Sequence, residues 1–143
     1  MRVSELMHSP ALTCRPETTI AGVARMMEQH NVGCIVVVDR IGYVAGVVTD
    51  RDIAIRGVAH GHSGDIPIED VMTRDVAWID PTADSEDAAS LMLKRGIRRL
   101  PVVDRDGGLH GLVALDDLVR NLGHETDALA DTLLDQASRR WRH

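Results

Sequence analysis

Val3 to Ala54 and Ile68 to Val119 align without a gap at a constant offset of 65 residues, the spacing from Met7 to Met72. Twelve aligned positions are identical: Met7/Met72, Pro16/Pro81, Ala24/Ala89, Met27/Met92, Val37-Val38-Asp39-Arg40/Val102-Val103-Asp104-Arg105, Gly42/Gly107, Gly46/Gly111, Val48/Val113 and Asp52/Asp117. The copy is longer than a solenoid repeat and too short to bury a good core alone. Two copies packed face to face about a pseudo-two-fold axis are therefore expected, with ligand grooves along that axis. Function is to be sought at matching positions of both copies.

At 143 residues the chain is about one ordinary domain, and a real core requires that the halves share it. A formal net charge of −6, with no Phe, one Tyr and two Trp, argues against a nucleic-acid surface, which needs a basic face and stacking rings. The apolar run Gly33 to Val38 is strand-length, and no uncharged apolar run approaches the roughly 20 residues that span a bilayer. Arg2 and Glu5 interrupt the N-terminus, which lacks the apolar stretch of a secretory signal. The expectation is a cytoplasmic protein that binds neither nucleic acid nor membrane. Its two cysteines, Cys14 and Cys34, fit a reducing compartment.

Each copy reads as short helix, strand, helix, strand, strand, helix. In the first, Ser4 is expected to cap a turn through Met7, and Ala11 to Cys14 to form a strand stopped by Pro16. Ile20, Val23, Ala24 and Met27 then recur at helical spacing behind the cap candidates Thr18 and Thr19. Gly33 to Val38 and Tyr43 to Val48 are β-branched runs joined by a hairpin at Asp39 to Gly42. A helix capped by Thr49 or Asp50 follows. The expected boundaries are 1–56 for the first unit, 57–67 for a linker, 68–122 for the second unit and 123–143 for a helical tail. The second copy should run through Ile68 to Met72, Val76 to Ile79, Asp84 to Arg95, Leu100 to Asp104, Leu109 to Ala114, and Asp116 to about Leu122. In the tail, Thr126 can cap a helix with Asp127 and Asp131 early and Arg139, Arg140 and Arg142 late, the order a helix dipole favours. A packing or dimerisation role is its default reading.

The most specific short motif is Gly46-Val47-Val48-Thr49-Asp50-Arg51-Asp52 at a strand-to-helix junction. A strand that ends at a helix N-terminus exposes backbone N–H groups and the positive dipole end, which suits a phosphate. Thr49 adds a hydroxyl. Asp52 shares its helix face, where a carboxylate can accept two hydrogen bonds from a ribose diol. The plainer reading is a capping box, since Thr followed three residues on by an acid satisfies the helix start by itself.

With these junctions in place, the chain resembles the CBS-domain family, named after cystathionine β-synthase, whose members carry two such copies in tandem. The likeness covers about residues 3–122. It rests on Leu6-Met7 and Val71-Met72, on Leu100-Pro101-Val102-Val103-Asp104, and on the two Gly-hydrophobic-hydrophobic-Thr-x-x-Asp type junctions. The resemblance implies an α/β (α+β) fold of two β-α-β-β-α units with pseudo-two-fold symmetry, usually a homodimer. It also implies an adenosine-containing ligand such as AMP, ADP, ATP or S-adenosylmethionine. By the same resemblance Thr49 would meet phosphate, and Asp52 and Asp117 would meet ribose.

The copies depart from that pattern in different places. Ala114 stands where the first copy has Thr49, so a hydroxyl is missing beside Asp117, whereas Arg98-Arg99 replaces Gly33-Cys34. Losing a charge-assisted phosphate contact costs about 1.5–3 kcal/mol. At most one good site is expected, at the first copy, with Arg51 as a phosphate partner; Arg98 and Arg99 resemble the basic pair that some nucleotide-binding members of the family aim at phosphates, and read equally well as a solvated surface pair. Aromatic residues are too few to stack adenine. Thr13, Cys14, Ile35 and Val36 from copy one, and Ile79, Leu100 and Pro101 from copy two, are its candidate walls, although apolar strand residues are core first.

Seven histidines invite a metal, and His60 and His62 form the tightest cluster, but no third or fourth ligand is placed by spacing. His8, His30, His110, His124 and His143 read as surface positions. Cys14 and Cys34 fall on neighbouring expected strands, where a disulfide would need Cα atoms within about 7 Å. Nucleophile elbows, phosphate-cradling loops with Lys and Ser/Thr, and Cys-His pairs at recognisable spacing are all missing, so the chain does not read as an enzyme. The expectation is a stand-alone regulatory module with no firmly implied cofactor and an unknown protein partner. The alternatives are a structural dimerisation module, or a metal- or redox-responsive one.

Overall fold

The computed structural model describes residues 1–122 and 135, and in order it contains α1 (Val3–Leu6), β1 (Thr13–Cys14), α2 (Ile20–His30), β2 (Cys34–Val38), β3 (Val44–Thr49), α3 (Asp50–Asp52), α4 (Ser85–Arg95), β4 (Arg99–Val103), β5 (Leu109–Ala114) and α5 (Leu115–Leu122). It is a mixed α/β fold that resolves into two compact units. One is Ala11–Val76; the other joins Met1–Pro10 to the chain from Ala77 onward. These units are offset from the sequence copies, because each copy's opening segment packs in the unit built by the other.

That exchange has a clear physical basis. Val3 and Leu6 of α1 enter the core formed by Ala88, Ala89, Met92, Leu100, Val102, Val113 and Leu118, while Ile68, Val71 and Met72 complete the core around Val23, Met27, Ile35, Val37 and Val48. Each fully buried aliphatic side chain contributes about 1.5–3 kcal/mol. After each opening segment the backbone pairs with a sheet edge: His8 and Leu112 exchange N–H···O bonds of 2.9 and 3.0 Å, and Thr73 and Val47 exchange bonds of 2.8 and 3.0 Å. The repeated glycines make room for this. A Cβ on Gly46 would lie 2.7 Å from the Met72 sulfur and 2.8 Å from the Thr73 carbonyl oxygen, and one on Gly111 would lie 2.5 Å from the His8 carbonyl oxygen. The identical Met and Gly pairs of the repeat are thus one interlocking feature seen twice.

Within the first unit β1 runs parallel to β2, which is antiparallel to β3. In the second, β4 and β5 are antiparallel with the same register as β2 and β3, including the bulge before Val38 and Val103. The strand expected over Val76 to Ile79 reduces to one parallel bridge, Ile79 with Val102. Both long helices end alike: Asn31 at φ 51° and Gly96 at φ 63° are left-handed, and Val32 and Ile97 donate to the carbonyls of Met27 and Met92. Thr19, not Thr18, caps α2, its hydroxyl oxygen accepting from the Gly22 amide at 3.1 Å. Arg2, not Ser4, occupies the cap position of α1, with the Glu5 carboxylate accepting from its amide. Both hairpins are tied by an aspartate: Asp39 accepts from the amides of Ile41, Gly42 and Tyr43, and Asp104 from those of Asp106 and Gly108.

The helix after β3 does not stop at Asp52. It passes through a π-helical segment, Ile53–Gly57, into a 3₁₀ turn, Val58–His60, so residues expected to begin the linker are helical. The C-terminal helix expected behind Thr126, with Asp127, Asp131, Arg139, Arg140 and Arg142, lies outside the described residues, as do His124 and His143.

Candidate functional site

At the β3–α3 junction Thr49 is the N-cap, and the capping-box reading is realised. Its hydroxyl oxygen accepts from the Asp52 amide at 3.1 Å, and the Asp52 carboxylate accepts from the Thr49 amide at 2.9 Å. The neighbouring amides are also used: Asp50 donates to the Gly33 carbonyl and Arg51 to the Asp50 carboxylate. The helix start therefore does not offer the bare N–H groups expected for a phosphate. What it offers is side-chain chemistry. Thr49 keeps its hydroxyl proton, and Asp52 keeps Oδ1, which among the described residues faces only the Arg56 Nε at 3.9 Å. Asp52 is 17% exposed, so that oxygen is sheltered yet reachable.

The second copy holds its carboxylate differently. Asp117 Oδ2 accepts from the Ala114 amide at 3.1 Å, so half of the box survives the loss of the hydroxyl. Its Oδ1 is already engaged, by His8 Nε2 at 3.1 Å and Arg120 Nη2 at 3.2 Å. Asp117 is 8% exposed. Arg98 pairs with Asp116 at 3.5 Å, and its carbonyl receives the Leu115 amide; Arg99 opens β4 opposite Ala114. Where the first copy has Arg51, the second thus has an acid that partly neutralises Arg98. Arg51 itself is exposed.

The apolar candidates separate by sheet face. Cys14 and Ile35 belong to the core of the first unit, and Ile79 and Leu100 to that of the second. Thr13, Val36 and Pro101 lie on the opposite faces of their strands, and Val36 and Pro101 pair in the repeat. Cys14 sits opposite Val37, three residues along β2 from Cys34, a separation of about 10 Å along the strand. That register rules out a disulfide between the two, and neither cysteine is in a disulfide. Burial pushes the Cys14 thiol up to about 11. His60 and His62 are exposed, and among the described residues no group of three or more His, Cys, Asp or Glu side chains is arranged to hold a metal ion. No helix among the described residues is long and apolar enough to cross a membrane. The pairing of Asp117 with His8 was not visible in the sequence; the one hint is that His8 aligns with Thr73 in the repeat.

Two interlocked copies, each placing an aspartate on a strand-to-helix cap, define a class, and comparison with known proteins identifies it. The family model for the CBS domain matches residues 3–57 and 68–124. The CBS domain-containing protein YhcV of Bacillus subtilis is 44% identical over 119 residues, 83% of this chain and 84% of that protein. The crystal structure of the CBS domain protein TA0289 from Thermoplasma acidophilum superposes with a TM-score of 0.84 at 29% identity, over 95% of this chain and 75% of that one. The CBS domain pair of protein MJ0100, solved in complex with 5′-methylthioadenosine and S-adenosyl-L-methionine, matches with a TM-score of 0.78 at 28% identity, over 87% of this chain and 98% of that one. This chain belongs to the CBS-domain family and carries two copies of the domain.

Proposed function

We propose that this protein is a non-catalytic regulatory module that binds an adenosine-containing small molecule, principally at the first copy. The observation that carries the reading is the contrast between the two aspartates. Asp52 has a sheltered carboxylate oxygen with only a distant cation beside it, whereas the matching oxygen of Asp117 is held by two side chains. A ribose diol donates two hydrogen bonds, and a carboxylate already oriented by the Thr49 amide accepts them without ordering cost. On this reading the Thr49 hydroxyl donates to a phosphate or other ligand oxygen, and the exposed Arg51 guanidinium supplies charge. Thr13, half-buried, supplies a wall for the base beside the fully buried Val36. The adenosine ligands of the MJ0100 pair support the same ligand class. Signalling requires that the ligand bind two states of the protein unequally, with a homodimer and a partner protein as the readout.

A thermal-shift panel of AMP, ADP, ATP, S-adenosylmethionine and NADH tests this. A ligand at a hundred times its dissociation constant stabilises the fold by about 2.7 kcal/mol. Asp52→Ala is expected to abolish the response and Asp117→Ala to reduce it less; the reverse ranking would refute the choice of copy. A second reading, a structural pairing module with unfilled grooves, is favoured by one observation: both caps satisfy their own amides without any ligand. A flat response to the whole panel supports that one.

A further inference from the structure

Arg56 touches both the candidate ligand carboxylate and the segment that completes the core of the first unit. Its Nη1 donates to the Met72 carbonyl at 3.2 Å, and its Nε stands 3.9 Å from Asp52 Oδ1. Met72 ends the exchanged segment, Thr73 follows it with two bonds to Val47, and the chain leaves for the other unit after Val76. Gly57, next along the helix, packs near the same segment: a Cβ there would lie 4.0 Å from Val71 Cγ1. The aligned residue of the second copy, Asn121, is used differently, its Nδ2 donating at 2.7 Å to the Asp117 carbonyl of its own helix. The backbones also differ there, since Ile53–Gly57 is π-helical whereas residues 118–122 lie in the α-helix α5. Single π-helical turns are rare and concentrate at functional sites.

We propose that Arg56 is the positioning residue of the first-copy site: it aims the Asp52 carboxylate and ties occupancy of that site to the docking of the exchanged segment. The ligand it serves is the one in the nucleoside reading above, on which this role rests. The cap holds the Asp52 side chain through Oδ2, so the orientation of Oδ1 depends on what stands beside it. A guanidinium carries five donors in a rigid plane. With Nη1 anchored on a backbone carbonyl that plane is fixed, and its charge favours the rotamer that keeps Oδ1 in place. At 3.9 Å the contact is an ion pair and not a hydrogen bond, so the oxygen's lone pairs stay open to a ribose hydroxyl. A ligand that immobilises Asp52 removes motion from Arg56 as well, and the Met72 bond then forms at lower entropic cost. Coupling of this kind is reciprocal: a firmly docked segment raises affinity by the factor by which ligand firms the segment.

The first arm of the experiment needs no ligand. Amide exchange at Thr73 and Val47 is followed by NMR in the wild type, Arg56→Met, Asp52→Asn and the double variant, all as the full chain. Met keeps the apolar stem of Arg56, and Asn keeps an oxygen for the Thr49 amide, so fold and cap are retained. Each single substitution is expected to lower protection about two- to fivefold, the range of an exposed ion pair, and the double variant to go no further than either single. Effects that multiply in the double variant, or no effect of Asp52→Asn, overturn the tie. In the second arm, adenosine and AMP are titrated into the wild type and Arg56→Met. Affinity is expected to fall about two- to fivefold for both, because the guanidinium acts through the ribose carboxylate. A loss for AMP alone means direct contact with phosphate, and no loss for either means no role at the site; each defeats the positioning assignment. Saturating adenosine should also raise protection at Thr73 in the wild type and not in Arg56→Met, and equal gains in both would refute the coupling. If neither compound binds the wild type, the nucleoside reading falls, and the tie between Asp52 and Arg56 is decided by the ligand-free cycle.

Discussion

Gly111 shows how much a single residue can decide. It is not a turn glycine; it sits in mid-strand, where its missing side chain lets the His8 backbone approach closely enough to pair with Leu112. Gly111→Ala must push that backbone away, breaking two hydrogen bonds and disturbing Met7. Overpacking of this kind costs about 1–3 kcal/mol, so a drop of that size in urea unfolding is expected, with Gly46→Ala behaving likewise. By contrast, Gly42→Ala adds a side chain in open space and is opposed only by its φ of 97°. The pairing of Met7 with Met72 and of Gly46 with Gly111 is plain in the sequence. That each methionine meets the glycine of the other copy is not, because both choices repeat with the same period. Thr49 and Asp52 were legible as a cap and as a candidate site; the structure shows the capping bonds directly, and they also leave Asp52 Oδ1 available.

At the scale of elements, hydrophobic period and β-branched runs were sufficient to place α2, the two hairpins and α4 to within a residue or two. Register was not accessible, since neighbouring strands of similar composition can slide by two residues at little cost in pattern. The observed slide separates Cys14 from Cys34. Native protein treated with a mild oxidant is expected to form no intramolecular disulfide, and the Cys14 thiol, pushed up to about 11 by burial, should alkylate at pH 8 roughly a hundredfold more slowly than in urea. Equal rates in the two conditions would contradict the burial. The sign for stability follows from linkage. The folded thiol holds its proton to higher pH than the unfolded one, so its contribution is intact below about 9 and is lost as pH rises toward 11. The π-helical run Ile53–Gly57 left no sequence signal beyond Gly57, whose small size seats it near Ile20 and Val71.

On the scale of the whole molecule, the repeat made the number of copies and their element order readable, and the family with them. What it hid was where the compact units begin and end. Ile68, Val71 and Met72 together contribute on the order of 5–9 kcal/mol to the Ala11–Val76 unit, comparable with the entire stability of a small domain. A fragment of residues 11–76 is therefore expected to show cooperative thermal unfolding by circular dichroism. A fragment of residues 1–57, which follows the repeat boundary, should not. Cooperative melting of both would mean that the exchanged segments matter little.

The crossed openings also bear on ancestry. A lone ancestor of this repeat would have exposed a sheet edge and an unfilled hollow that its own first residues were not filling, and a sister chain offering the same residues could have mended both. Fusion of two such genes then turns a partnership into a dependency: neither half can be deleted afterwards without stripping the survivor of a piece it never encoded for itself.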